Sequence, residues 1–418
     1  MINGYDRGIH GKVRQEFAGP FRGDRGIFGK KVRNPESKGY FFPSRLTRRE
    51  LENIIILVFS EKRRGGIYPG LLLMSVWFWI LITLVSVVIL VFFLAFILSL
   101  LIFLLIFRRR YEENPDLRYF RAEDFDGITT EEVSFPSDRG QILHGYLYES
   151  KDAGGKGLVV FSHGIGAGHS SYTTEIVSLA RHGYTVLGYD GTGCVESEGN
   201  CIRGMDQGPL DLKAALCFVA AQSRFSGQKC ILVGHSWGAF SVMNSLEEEN
   251  VSGAVAMNGF VSPAGIMAES VTVRAGIPWW LLKPFFFLYE KLSFGRNANR
   301  NSLSSLEKTE KPVLLLMGEK DKTVPYKYNG RKLRVLAGTK KNITTLIYSD
   351  KEHNVYLTRD AEMYMNTTFE NLPKKVRKDK SRKAELYAAV DYVRMTAEDS
   401  AVMEEIYHFC DRIGEKKS

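Results

Sequence analysis

From Leu71 to Phe107 the chain runs 37 residues without a charged residue, Gly, Pro or Asn, and Arg108, Arg109 and Arg110 end the run. A soluble core helix is neither this long nor this apolar on every face, so the segment is expected to meet a bilayer. As one helix it would be about 55 Å long at about 1.5 Å per residue, against a hydrocarbon core of about 30 Å. Two short spans of about 17 residues each would fit that thickness. The flanks are matched, with Arg48, Arg49, Lys62, Arg63 and Arg64 before the run and Arg108, Arg109, Arg110, Arg118 and Arg121 after it. Because positive charge marks cytoplasmic flanks, the tie favours a cytoplasmic hairpin slightly over a single span. The run is too long, and too far from Met1, for a cleavable signal peptide.

The net charge of +9 is unevenly placed. Residues 1–66 hold 15 Lys and Arg against 7 Asp and Glu, while the remainder is nearly balanced at 41 against 40. A basic, flexible region beside an apolar segment points to anionic lipid as its partner, with a solvated tail as the plain alternative. No nucleic acid is expected, since no recognised nucleic-acid module accompanies the charge. Five cysteines (Cys194, Cys201, Cys217, Cys230 and Cys410) form no CxxC pair, which argues against zinc. Cys217 and Cys230 lie in apolar patterns and read as small core residues. A reducing compartment fits the set, although Cys194 and Cys201 could pair outside one.

After a polar connector, 111–130, the pattern changes. Glu132–Phe135 and Ile142–Tyr148 alternate apolar and polar residues across Ser-Asp-Arg-Gly, as a hairpin does. Apolar strand candidates follow at Gly157–Ser162, Thr185–Tyr189, Lys229–Gly234, Gly253–Asn258, Val313–Gly318 and Thr344–Ser349. Helical stretches such as Ser171–Arg181, Pro209–Gln222 and Ala239–Glu248 separate them. This describes a mainly parallel α/β sheet with an antiparallel start, whose reactive groups gather at the carboxyl ends of the strands. Two stretches interrupt the alternation. Residues 261–311 contain the aromatic run Pro278–Leu292 and suggest a cap over a pocket, or an ordinary packed helical pair. Residues 360–398 carry Lys374, Lys375, Arg377, Lys378, Lys380, Arg382 and Lys383, expected on a solvated helical face, with anionic-lipid contact as the sharper option.

The motif that carries chemistry is Gly234-His235-Ser236-Trp237-Gly238, between the apolar strand Cys230–Val233 and the helical Ala239–Val242. A serine at a tight strand-to-helix turn is strained and exposed, and flanking glycines leave room for the turn. Its hydroxyl needs a base, and the base an orienting acid. Beyond Ser236 stand only His353, in a loop just after a strand, and His408, in the terminal EEIYHFCDRI helix, where a structural role is expected. His353 is therefore the base. Asp321, past the glycine turn that ends Val313–Gly318, is the favoured acid, with Glu319 and Asp350 as alternatives. Val159–Ile165 supplies a strand and a glycine turn, so the backbone N–H groups of Ile165 and Trp237 are the expected oxyanion donors. His163 precedes the nucleophile and is expected to brace that turn.

Together these residues resemble the α/β-hydrolase superfamily over about residues 130–413, and within it the lysophospholipase-like and serine-aminopeptidase-like hydrolases, some with an N-terminal membrane anchor. The resemblance implies an eight-stranded sheet, a cap before the acid strand, no metal and no organic cofactor. One departure stands in Asp190–Gly199: where the family often has D-x-R-G-x-G-x-S, Thr192 replaces the Arg and Val195 the second Gly. The whole reads as residues 1–66 basic, 67–110 membrane segment (one span or tight hairpin), 111–130 connector and 131–413 hydrolase. It is expected to be a membrane-bound serine hydrolase cleaving a lipophilic ester, with its catalytic domain in the cytoplasm. A small-peptide or amide hydrolase is the alternative, and a non-catalytic membrane interaction protein the alternative of another class.

Overall fold

The computed structural model describes residues 69–370 and 379–415, together with Arg49, Glu52 and Asn53. The expectations for residues 1–66, and for Lys374, Lys375, Arg377 and Lys378, fall almost wholly or wholly outside the described residues.

The chain separates into two compact units, one of Tyr5–Leu90 and one holding Val91–Ser418. In the second, eight strands form one sheet: β1 (Ile128–Pro136), β2 (Ile142–Ser150), β3 (Leu158–Ser162), β4 (Thr185–Tyr189), β5 (Cys230–His235), β6 (Val251–Met257), β7 (Val313–Gly318) and β8 (Ile343–Tyr348). Their order is β1-β2-β4-β3-β5-β6-β7-β8. β1 and β2 pair antiparallel, β2 meets β4 antiparallel, and every later pairing is parallel. The sequence-predicted strands fall on these elements with ends shifted by a few residues at most.

The central strands are buried on both faces, and the two-residue period of the strand sorts their side chains. Val159 and Phe161 of β3, Ile231 and Val233 of β5, and Leu314 and Leu316 of β7 pack on one side. Leu158 and Val160, Cys230 and Leu232, and Val313 and Leu315 pack on the other. Each face needs a helical layer to cover it, which is why near-continuous apolar strands alternate with helices here.

The helices are α1 (Pro69–Phe107), α2 (Thr173–Arg181), α3 (Gln207–Ala221), α4 (Trp237–Met243), α5 (Pro263–Ala275), α6 (Trp279–Phe294), α7 (Ser302–Lys308), α8 (Gly330–Ala337), α9 (Arg359–Met365), α10 (Lys380–Ala388), α11 (Tyr392–Met395) and α12 (Ser400–Glu415). In α3, Leu212, Ala215, Leu216 and Val219 face the sheet, and Cys217, about 100° around the helix from Leu216, is exposed rather than in the core. Cys230 is buried as expected, and all five thiols are unpaired. Residues 261–311 fold as α5, α6 and α7, the interruption anticipated between β6 and β7.

The favoured hairpin does not form: Pro69–Phe107 is one unbroken 39-residue helix. With no Gly, Pro, Asn or Asp in the run to open a turn, continuous backbone hydrogen bonding wins. Its apolar residues have two surroundings. Leu73–Leu94 are exposed throughout. Ala95, Ser99, Phe103 and Phe107, four residues apart, form a buried stripe within the unit that holds the sheet. The stripe meets α6, where Phe103 lies 5.4 Å from the Tyr289 ring and Tyr289 Oη donates to Phe96 O at 2.9 Å. The end of α1 therefore packs within the unit that holds the sheet, and the boundary between units falls at Leu90–Val91 rather than at the connector.

Candidate active site

Strand order reverses around β3, and in open α/β sheets the reactive crevice lies outside the carboxyl ends of the strands at such a switch. The turn after β3 and the turn after β5 meet there. Ser236, between β5 and α4, adopts φ +57° and ψ −112°, a conformation that costs an L-residue energy and is held by its surroundings. The motif glycines are demanded by close approach. A Cβ on Gly238 would strike the carbonyl of Ser162, and one on Gly234 would sit 2.5 Å from the Gly238 carbonyl carbon. Ser236 N donates to Met257 O at 2.8 Å, fixing the elbow to the end of β6.

His353 and Asp321 come together. His353 Nδ1 lies 2.7 Å from Asp321 Oδ2, and the other carboxylate oxygen accepts the N–H groups of Thr323 and Val324, both at 2.8 Å. Glu319 and Asp350, the alternative acids, are exposed, whereas Asp321 is buried. His408 is far less engaged, with its side chain 72% exposed and paired with Glu404 at 3.8 Å. The packing role expected of it is therefore absent.

The loop carrying His353 is held on several sides. Glu362 of α9 accepts Glu352 N at 3.1 Å and Asn354 N at 2.7 Å, bracketing the histidine. Burial raises the Glu362 pKa above the ordinary carboxylate value. Asn258, just past β6, donates to the Glu352 carbonyl at 2.9 Å and accepts Gly318 N at 2.8 Å, tying the turn before Asp321 to the loop that carries His353. Lys351 reaches Asp399 at the head of α12.

On the oxyanion side, Gly164 and Ile165 follow β3. A Cβ on Gly164 would lie 3.7 Å from Ser236 Cβ and 2.6 Å from the Tyr172 hydroxyl, so the turn abuts the elbow and admits only glycine. Trp237 opens α4, where first-turn amides have no acceptor within the helix. Neither the Ile165 nor the Trp237 N–H donates to a protein acceptor among the described residues. His163 bonds through Nδ1 to Gly164 O at 2.8 Å and accepts Gly191 N at Nε2 at 2.9 Å. Burial lowers its pKa, so it sits neutral in the turn.

The departure at Asp190–Gly199 has a local account. Thr192 gives its N–H and hydroxyl to Asp211, at 2.7 and 2.8 Å, and burial pushes the Asp211 carboxyl up to about 7. Val195 takes a positive φ of 40° where a glycine would be unstrained. From the end of α1, the Arg110 guanidinium donates to the carbonyls of Val195, Ser197 and Gly199.

Four residues contributing to this geometry were not singled out from sequence. His235 was read only as the variable member of its motif. Tyr172, Asn258 and Glu362 carry no local signal, because their partners are 8 to 95 residues away in the chain.

Residues 159–339 match the model of a family described as Alpha/beta hydrolase family. The sheet order and elbow are those of the α/β-hydrolase fold, and the family match supports membership of the α/β-hydrolase superfamily. Among curated relatives, the acylamino-acid-releasing enzyme of Rattus norvegicus is 23% identical over 230 residues, covering 50% of this chain and 30% of that enzyme. This chain thus spans about a third of that relative's length. Among solved structures, an esterase of Pyrococcus furiosus is 19% identical, covering 67% of this chain and 97% of that one, with a TM-score of 0.47. An acylaminoacyl peptidase of Pyrococcus horikoshii is 15% identical, covering 56% and 39%, with a TM-score of 0.41.

Proposed function

We propose that this chain is a serine hydrolase that cleaves a lipophilic ester through an acyl-enzyme and is anchored in a membrane by α1. The observation that carries the reading is the 2.7 Å His353–Asp321 pair, joined through the 2.9 Å His235–His353 bond to a serine held at φ +57° in a strand-to-helix elbow. Ser236 Oγ attacks the carbonyl carbon while His353 takes its proton, and the tetrahedral oxyanion accepts the N–H groups of Ile165 and Trp237. Collapse expels the alcohol, which leaves with the proton from His353, and water then repeats the sequence to release the acid. Asp321 keeps Nδ1 of His353 protonated and stabilises the imidazolium.

A lipophilic substrate is favoured by the apolar layer next to the elbow. Trp237, Phe240 and Phe260 cluster with Leu282 and Phe286 of the cap and with Phe103 and Phe107 of α1. Anchoring is favoured by the exposed apolar run Leu73–Leu94, whose 22 residues would reach about 33 Å, close to one hydrocarbon thickness, so a single crossing suffices. A second reading, hydrolysis of an N-acylated peptide, draws on the similarity to the rat acylamino-acid-releasing enzyme.

The test is to wash membranes bearing the full chain with alkaline carbonate and label the pellet with a fluorophosphonate. The wild type should label in the pellet, and Ser236→Ala should lose labelling and about a million-fold in rate. Labelling that survives Ser236→Ala ends the assignment, and labelled protein in the wash ends the anchor. Faster turnover of an N-acetylalanyl anilide than of any p-nitrophenyl ester would favour the peptide reading.

A further inference from the structure

Three hydrogen bonds outside the Ser236, His353 and Asp321 set run in series beneath the site. Gly164 N lies 3.0 Å from Tyr172 Oη, Tyr172 Oη lies 2.9 Å from His235 Nδ1, and His235 Nε2 lies 2.9 Å from the carbonyl oxygen of His353. Tyr172 and His235 are fully buried. Their proton directions follow from the two ends. A peptide N–H can only donate, so Tyr172 Oη accepts from Gly164. A carbonyl can only accept, so His235 Nε2 carries a hydrogen and donates to His353. Burial, reinforced by the neighbouring His353, holds His235 neutral, which leaves Nδ1 as an acceptor for the Tyr172 hydroxyl. Every donor has an acceptor under this one assignment.

The ends of the series set it apart from ordinary core pairing. One end is the N–H of Gly164, the residue before Ile165, and the other is the carbonyl of His353 itself. His235, in the middle, is covalently next to Ser236, and its ring packs 4.7 Å from the His353 ring. The network therefore touches the expected oxyanion turn, the elbow and the His353 loop at once, through bonded pairs up to 118 residues apart. Asn258 adds a second donor to the same His353 carbonyl.

We propose that Tyr172 and His235 are positioning residues that lock the oxyanion turn and the His353 loop in register with Ser236. The proposal rests on the serine-hydrolase reading above. Neither residue touches the reacting atoms. They act by fixing where the Ile165 N–H and the His353 ring stand relative to Ser236, and displacements of the order of 1 Å at such groups can cost about a hundredfold in rate.

The experiment uses the full chain in detergent micelles, with a short p-nitrophenyl ester and a fluorophosphonate as probes. For Tyr172→Phe, kcat and the labelling rate should both fall by about tenfold to a hundredfold while KM moves by less than about twofold, since register in the transition state is lost and substrate binding is not. His235→Gln keeps an amide that can reach the His353 carbonyl and should retain about tenfold more kcat than His235→Leu. Wild-type kcat in a folded Tyr172→Phe, or equal losses in the two His235 variants, overturns the proposal. Should Tyr172→Phe fail to fold, the His235 pair decides alone. A wild type that never labels at Ser236 is a separate failure, that of the hydrolase reading, and takes this proposal with it.

Discussion

The strand-end rim around Ser236 and the apolar layer between α1 and α6 are built on opposite principles. At the rim, polar groups are satisfied one by one, as when Asp321 takes three donors and Glu362 takes two. In the layer, Phe103, Phe107, Leu282 and Phe286 are interchangeable in kind and held by area and shape. Loss of one group at the rim should therefore damage chemistry more than folding, whereas loss of one group in the layer should do the reverse.

The largest expected effect tests the rim. His353→Ala should lower turnover by up to about a million-fold, as loss of the base does in comparable triads, with the melting temperature nearly unchanged. His408→Ala, removing an exposed side chain, should change neither measurably. A large thermal shift in His353→Ala with activity retained would erase the distinction between the two regions.

Phe286→Ala sharpens the other side. The side chain is fully buried on α6, and its truncation should cost about 3–5 kcal/mol of stability. Denaturant unfolding should register that loss, and hydrolysis of a short ester should survive in the fraction that stays folded. Unchanged stability would mean the layer is not packed as described.

The smallest effect lies away from both regions. Burial, with repulsion from nearby Glu175, raises Glu398 from 4.5 to about 8, and burial raises Glu175 to about 7. For such acids the folded state holds the proton more tightly than the unfolded chain. Their contribution is complete below the unfolded value near 4.5 and is lost as pH rises through the folded value. The melting temperature should fall between pH 5 and 8 more steeply in the wild type than in Glu398→Gln. Parallel slopes would refute the raised pKa.

The same contrast governs what the sequence could tell. Ser236 and Asp321 stood out as candidates because each follows an apolar strand at a glycine turn, and His353 because its loop directly follows a strand; such strand ends have a fixed place in a parallel sheet, and the structure brings His353 and Asp321 together. The strand ends, the cap interruption and the turn after β3 were legible for the same reason. The course of α1 was not. Leu73–Leu94 and Ala95–Phe107 have the same kind of residues, and only the facing helix decides which are covered. Asn258, Glu362 and Tyr172 were hidden because a buried polar group declares itself through a partner distant in sequence. Cys217 was misplaced because an apolar stretch of helix also contains its outward positions.

The way α1 ends bears on how this protein can be handled. Its last four turns cover α6, and Arg110 holds the carbonyls of the loop after β4. A shortened version begun at the apparent linker near residue 111 would lose both, leaving an uncovered aromatic face beside the elbow and three carbonyls without their donor. The workable cut for a water-soluble form lies inside the helix, ahead of Ala95, with the outward-facing leucines among 98–105 exchanged for polar residues and the buried stripe kept. The exposed apolar run and the buried stripe share one helix, so the cut must follow its packing rather than its hydropathy.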